Sequence, residues 1–406
     1  MSATKRWSTL SACAAVVLLV SVQIAAKAIP DRPSGDKRPI SLAKPRVSPL
    51  PEAQWTSVHQ ELAAKFSPGG RPDNQLKTLL NVPEIVEGAM PFTAYLMGES
   101  TLSPRHREIL ILRTAWLCGA RSLWATHAAR ARSAGMTTDD IRRVAQGPDA
   151  AGWDLFERTL VRTADQLYRN SSVDEATWKT LSGQYDLNHL MDAVETVNHF
   201  TFLALMDNSF GVQPDEGLAD RMPTTIPYRV VVSDPEPPLK TARVEPNPGQ
   251  GIAVGRTFAR HPKANEQRGR RANFINRVST LTPRHREMLI LRIGWDCRSE
   301  YEWAQHVGSV GRARDHGVDP VRVAQGPDAP GVDPFDATIL RAVDELYQDA
   351  IVSDRTWAAL ASRFDTRQLM SAVYTASSYR ATSMSLRTYG VQIETSDERF
   401  PQLDSR

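Results

Sequence analysis

Glu302 and His306 stand four residues apart, the spacing that puts two side chains one above the other on a helix face. Glu287 precedes His306 by nineteen positions. If it lies on the preceding helix and the two helices pack antiparallel, the three side chains meet as a Glu-His-Glu cluster. Such a cluster suits proton transfer, because one carboxylate fixes the imidazole tautomer while the histidine or the other acid moves a proton. The same spacing on a solvated surface is worth only a few tenths of a kcal/mol. Trp295, Tyr301 and Trp303 surround the pair in sequence, and polar groups among aromatics characterise small-molecule pockets. Tyr301 and Trp303 are therefore candidate substrate contacts.

These residues belong to one of two copies of a repeated unit. Leu102-Ser103-Pro104-Arg105-His106-Arg107-Glu108 recurs 179 positions later as Leu281-Thr282-Pro283-Arg284-His285-Arg286-Glu287. The same ungapped displacement pairs Trp116, Cys118, Trp124 and His127 with Trp295, Cys297, Trp303 and His306, and Gly211-Val212-Gln213 with Gly390-Val391-Gln392. Two copies are too few for a solenoid, so two like domains forming an internal pseudo-dimer are expected. The first copy keeps Glu108 and His127 but has Leu123 in place of Glu302, which makes it a degenerate second site.

Other candidates carry less. Glu195 and His199 share the four-residue spacing, but their second-copy counterparts are Tyr374 and Ser378. No third ligand lies at regular spacing, so they read as a solvated helix pair and no metal is expected. Cys118 and Cys297 occupy matched positions beside tryptophans and read as small buried hydrophobes. The chain has no C-x-x-C, and a disulfide between the two would need a pseudo-twofold axis to bring them together. The Arg-rich run from Arg268 to Arg277 reads as a solvated helix face.

The elements that must position these groups are helices. Ser103-Pro104 and Thr282-Pro283 are helix-start signals. Cys118-Gly119-Ala120 predicts a break before a helix carrying His127, and further helices are expected over about Asp154–Arg169 and Leu187–Phe210. Strand signals are nearly absent inside the repeats, so the fold class is all-α. The expected organisation is a signal peptide at 1–28, a Pro-rich linker at 29–55 and domains at 56–213 and 251–392. A linker at 214–250 lies between them, with a short β-branched run from Arg229 to Val232, and a frayed tail covers 393–406.

Composition narrows the function class. Among 406 residues, 49 are basic and 46 acidic, which leaves no strongly basic surface for nucleic acid. Lys5 and Arg6 precede an uncharged run from Leu10 to Ala26, and Ala26-Lys27-Ala28 supplies small residues for cleavage before Ile29. The expectation is an exported, periplasmic or secreted protein, with an uncleaved membrane anchor as the alternative. No membrane span is expected in the mature chain. Without Lys5, Arg6 and Lys27 the 49 basic residues become 46, equal to the acidic ones.

The run Leu281-Thr282-Pro283-Arg284-His285-Arg286-Glu287-Met288-Leu289-Ile290-Leu291-Arg292, followed by Glu300-Tyr301-Glu302-Trp303-Ala304-Gln305-His306, resembles the carboxymuconolactone decarboxylase family, whose all-α fold is shared with alkyl hydroperoxidase D. The resemblance covers about residues 77–213 and 256–392. It implies a cofactor-free site between helices, a small-molecule substrate, and homo-oligomers, here a trimer of pseudo-dimers. It places the family's acid on Glu287 and Glu108 and its histidine on His306 and His127. It further implies decarboxylation or proton transfer on a small lactone or unsaturated carboxylic acid. In that scheme Glu302 orients His306, Glu287 is a second acid/base or polar anchor, and Arg292 holds the substrate carboxylate. The peroxidase branch places redox cysteines where this chain has Ala120 and Leu123, or Ser299 and Glu302. A peroxiredoxin-like activity using Cys118 and Cys297 is one alternative, and a non-catalytic binding or structural protein is another.

Overall fold

The computed structural model describes residues 41–228, 230, 232–233, 235–394 and 398–403. The signal-peptide and cleavage-site expectations lie outside the described residues. In the first half the helices are α1 (Ser57–Phe66), α2 (Asn74–Leu79), α3 (Pro83–Gly98), α4 (Pro104–Cys118), α5 (Arg121–Ser133), α6 (Thr138–Gln146), α7 (Leu155–Asn170), α8 (Glu175–Ser182) and α9 (Leu187–Phe210). The second half has α10 (Ala253–Phe258), α11 (Pro262–Asn273), α12 (Pro283–Asp296), α13 (Glu300–Val307), α14 (Pro320–Gln325), α15 (Pro334–Asp349), α16 (Asp354–Ala361) and α17 (Thr366–Tyr389). The starts of α2–α5 and α7–α9 recur 179 positions later as those of α10–α13 and α15–α17. Among the described residues there is no strand. Val230 and Val232 are not in one either, contrary to the β-branched signal, while Arg229 and Val231 lie outside the description.

Local sequence sets the boundaries. The Ser103 hydroxyl accepts the His106 N–H and Pro104 fills the first helical position of α4. Thr282 and Pro283 do the same for α12. Gly119, at φ 64°, stops α4 in a left-handed turn that glycine adopts without strain. Asp186 and Asp365 cap α9 and α17.

One helix forms the centre of each half. α4 packs among α5, α7 and α9, and α12 among α13, α15 and α17. Every residue of α4 from Glu108 to Cys118 is buried, at roughly 1.5–3 kcal/mol for each large apolar side chain. The halves then join through two helix pairs, α9 on α17 and α3 on α11. Arg380 ties them further: its guanidinium, between the rings of Tyr168 and Tyr347, donates to Leu346 O and Tyr168 O.

The connectors are docked. Arg46 in the first connector donates to Val352 O at 2.7 Å and pairs with Asp354 of the second half. Arg243 in the second connector donates to Val173 O at 2.6 Å and pairs with Glu175 of the first half. These reciprocal latches were legible as Arg46-Val47-Ser48-Pro49 and Arg243-Val244-Glu245-Pro246. Their displacement differs from 179, so a search at fixed spacing passes over them. Gly211 and Gly390 are required beneath them. A Cβ there would stand 2.8 Å from Lys44 O and 2.7 Å from Thr241 O. The tail is not frayed over 398–403, because Phe400 packs its ring against Trp295 and Trp303.

Candidate active site

α12 and α13 are joined by the short turn Cys297–Ser299, in which Arg298 takes φ 54°, and they pack against each other. This brings Glu287 to His306, with Oε2 2.7 Å from Nδ1, both side chains buried. Glu108 and His127 on α4 and α5 make the same contact at 2.7 Å. A carboxylate on Nδ1 fixes the tautomer and leaves Nε2 as the ring nitrogen turned to other chemistry. Arg286 Nε donates to the other Glu287 oxygen at 3.0 Å. The His306 ring meets Tyr379 edge-on at 5.0 Å, as His127 meets Phe200 at 4.9 Å.

Glu302 takes a different partner from the one expected. Glu287, not Glu302, engages His306, and Glu302 Oε2 instead accepts the Ser383 hydroxyl of α17 at 3.0 Å. The reason is geometric. His306 reaches Glu287 on α12 while its ring rests on Tyr379 of α17; Glu302 lies over Gly294 of α12, which has no side chain to offer it, and turns its carboxyl to Ser383 of α17. Burial is the main influence on Glu302 and raises its carboxyl to about 7; the nearby His306, the Ser383 hydroxyl and Arg268 oppose the rise.

α13 is also shorter than its counterpart. α5 runs to Ser133, whereas α13 stops at Val307 and the chain unwinds through Gly308 and Gly311. The matched first-half residues are Ala129 and Arg132. The unwound segment closes over the dyad, because a Cβ on Gly311 would lie 2.3 Å from Glu287 Oε2 and 2.5 Å from His306 O.

The other expected contacts fall elsewhere. Trp303 packs against Trp295 and Phe400. The Tyr301 hydroxyl accepts Val254 N–H at 3.0 Å. Both sit on flanks of α13 that point away from the His306 face. Arg292 is not available to a substrate carboxylate. It donates to Asp344 at 2.5 Å and to the carbonyls of Val323 and Ala324, with Asp296 at 3.5 Å. Arg113 repeats this network in the first half with Asp165, Val144 O and Ala145 O. Both arginines brace the fold.

Glu195 and His199 are not solvated; they are 1% and 0% exposed. Glu195 accepts Arg268 at 2.9 Å together with the hydroxyls of Ser385 and Tyr389. His199 Nε2 lies 2.8 Å from Thr93 Oγ1, and burial holds this imidazole well below its usual range. The Arg268–Arg277 run is likewise only part surface, since Arg268 and Arg271 turn into the junction between halves. Burial on α9 hid these groups, because a helix apolar all round carries no periodicity to mark an inner face. Cys118 and Cys297 are unpaired and fully buried, and burial pushes both thiols up to about 12. Among the described residues no group of three His, Cys, Asp or Glu side chains is arranged to hold a metal ion, and no helix is long and apolar enough to cross a membrane.

The two copies differ systematically around the shared Glu-His pair. Around the second stand Glu302, Tyr379, Ser383, Arg268 and Arg271. The matched first-half residues are Leu123, Phe200, Ala204, Ala89 and Phe92. Each of these polar groups in the second half corresponds to an apolar residue in the first. Three surface cavities of about 280, 460 and 160 Å³ are lined by neither His306 nor His127.

No curated protein matches the chain. Among solved structures, an uncharacterized peroxidase-related protein from Silicibacter sp. TM1040 aligns at 21% identity with a TM-score of 0.37, covering 45% of this chain and 95% of that one. Residues 83–165, a stretch that begins at α3 and includes both Glu108 and His127, match the carboxymuconolactone decarboxylase family.

Proposed function

We propose that the second half is a cofactor-free proton-transfer site acting on a small lactone or unsaturated carboxylic acid, by decarboxylation or by moving a proton. One observation carries this reading: a buried acid raised to about 7 stands one helical turn from a histidine fixed by a second carboxylate. Pairing an acid and a base in contrasting environments is how such sites run both roles near neutral pH. In decarboxylation the C–C bond to the carboxylate breaks, carbon dioxide leaves, and the electron pair stays on carbon. Protonated Glu302 donates its proton to that carbon and is left as a carboxylate, and His306, steadied through Nδ1 by Glu287, relays a replacement proton from water to Glu302. The first half lacks the acid, because Leu123 stands there, and serves as a structural partner.

The test is a screen of small lactones and unsaturated acids on residues 29–406, reading carbon dioxide release and solvent-proton exchange. With a substrate in hand, His306→Ala and Glu302→Gln should each lower turnover by about 10²–10⁴, while His127→Ala leaves it near wild type. Unchanged turnover in the first two variants would sink the assignment. A thiol-peroxidase reading has little support from thiols buried and raised to about 12, since the reactive form is the thiolate. The closed setting of Glu287, Glu302 and His306, all 5% exposed or less, favours a silent binding domain as the second reading, which any verified turnover at His306 removes. Export with loss of residues 1–28 and assembly into a trimer of pseudo-dimers belong to the same proposal. N-terminal sequencing of the protein recovered from cells and light scattering test them.

A further inference from the structure

Arg271 lies on α11 at the junction of the two halves. It is 2% exposed. Its guanidinium carbon sits 5.6 Å from the Phe92 ring and 5.3 Å from the Phe202 ring, both contributed by the first half. Nη1 has no hydrogen-bond partner, and among the described residues no carboxylate stands within ion-pair distance of it. The other buried arginines among the described residues are occupied: Arg113 by Asp165, and Arg380 and Arg387 by two carbonyls each. A desolvated cation without a partner is costly, and such groups in native proteins call for an explanation.

The neighbours supply one. Arg271 is within electrostatic reach of Glu302 and Glu195 and of Tyr379, whose ring packs on His306. Two further orphaned polar atoms stand beside it, the Tyr374 hydroxyl and His199 Nδ1. The matched first-half position is Phe92, so the cation belongs only to the half that also has the extra acid.

We propose that Arg271, with the Tyr374 hydroxyl beside it, holds a carboxylate of the substrate next to Glu302 and His306. The inference rests on the proposed proton-transfer role of that site and specifies its substrate class. Phe92 and Phe202 flank the guanidinium, which suits a flat, conjugated acid. The bound carboxylate is one that stays in the product, because pairing a departing carboxylate with a cation opposes its loss as neutral carbon dioxide. The substrate of a decarboxylation would therefore be a diacid or a lactone acid; for a monoacid the reaction would be a proton shift.

The test is binding to the full chain, followed by tryptophan fluorescence and calorimetry, with benzoate, crotonate and fumarate as probes and benzamide and crotonamide as uncharged controls. Wild type, Arg271→Met, Arg271→Lys and His306→Asn are compared. The acids should bind wild type and His306→Asn, and the amides should not. Arg271→Met should weaken acid binding by at least about tenfold, with a smaller loss in Arg271→Lys, which keeps the charge without the planar fork. In the absence of ligand Arg271→Met should melt above wild type, since it removes an unpaired buried charge. If Arg271→Met does not fold, Arg271→Lys carries the comparison. Acid binding equal in wild type and the Arg271 variants, amide binding equal to acid binding, or no acid binding to wild type overturns the proposal. Arg271-dependent binding without turnover of any acid would remove the proton-transfer reading and leave the anion site standing. Turnover with a KM indifferent to Arg271 would do the reverse.

Discussion

Replacing Glu302 by Gln makes the electrostatics of the site measurable without any substrate. The amide keeps the size of the carboxyl and can still accept the Ser383 hydroxyl, so packing is preserved while titration is removed. Glu302 titrates at about 7 in the folded chain against an ordinary 4.5. Because the folded value is raised, the folded chain keeps this proton over a range in which the unfolded chain has released it. The stability that Glu302 contributes therefore falls as pH rises from 4.5 to about 7 and levels off outside that window. At about 1.36 kcal/mol per pH unit the loss from this group amounts to roughly 3 kcal/mol. Urea unfolding of wild type and Glu302→Gln at closely spaced pH values gives the stability difference directly, with other titrating groups such as Asp207 cancelling. The variant should gain on wild type by roughly 3 kcal/mol between about pH 4.5 and about pH 8. A difference flat to within about 0.5 kcal/mol across that window would refute the placement of Glu302 in a desolvated site, and with it the acid role.

The remaining predictions concern the surroundings. Cys118 and Cys297 should resist iodoacetamide in the native chain and react on unfolding, as read by peptide mass mapping; rapid native labelling would contradict their burial. Gly311→Ala should destabilise the chain by about 1–3 kcal/mol and displace the histidine-bound proton resonance of His306. Gly255→Ala, with nothing within 4 Å of its new methyl, should do neither. Arg292→Ala should cost about 3–5 kcal/mol in unfolding experiments, because Asp296 and Asp344 lose their cation; a change below about 1 kcal/mol would return Arg292 to the list of candidate ligand contacts.

Much of this architecture is written locally. Ser103-Pro104, Gly119, Asp186 and Gly211 mark helix ends through their own backbone chemistry, and the expected helix over Leu187–Phe210 matches α9 residue for residue. The meeting of Glu287 and His306 was also legible, since the short turn lets α12 and α13 pack on each other and the nineteen-residue separation then brings the two side chains together. What sequence could not supply was the neighbour across the junction. Glu195 meets Arg268 from the other half, and no spacing rule along one helix encodes that contact. Arg292 misled for a related reason: its partner Asp344 is 52 positions away, so its engagement became visible only in three dimensions. Arg271 lay in a basic run that reads as surface because most of its members are exposed.

Arg271 rests against Phe92, and the two occupy corresponding positions in the two repeats. In a dimer of identical chains that arrangement could not exist. Whatever residue stood at this position would face a copy of itself across the axis, arginine against arginine or ring against ring. Joining the copies on one polypeptide lifts that restriction. One half can then carry the charge and the other the flat surface that shelters it, and mutations near the axis need no longer be tolerated twice. Covalent linkage thus turned a symmetric junction into a place where selection acts on each side alone.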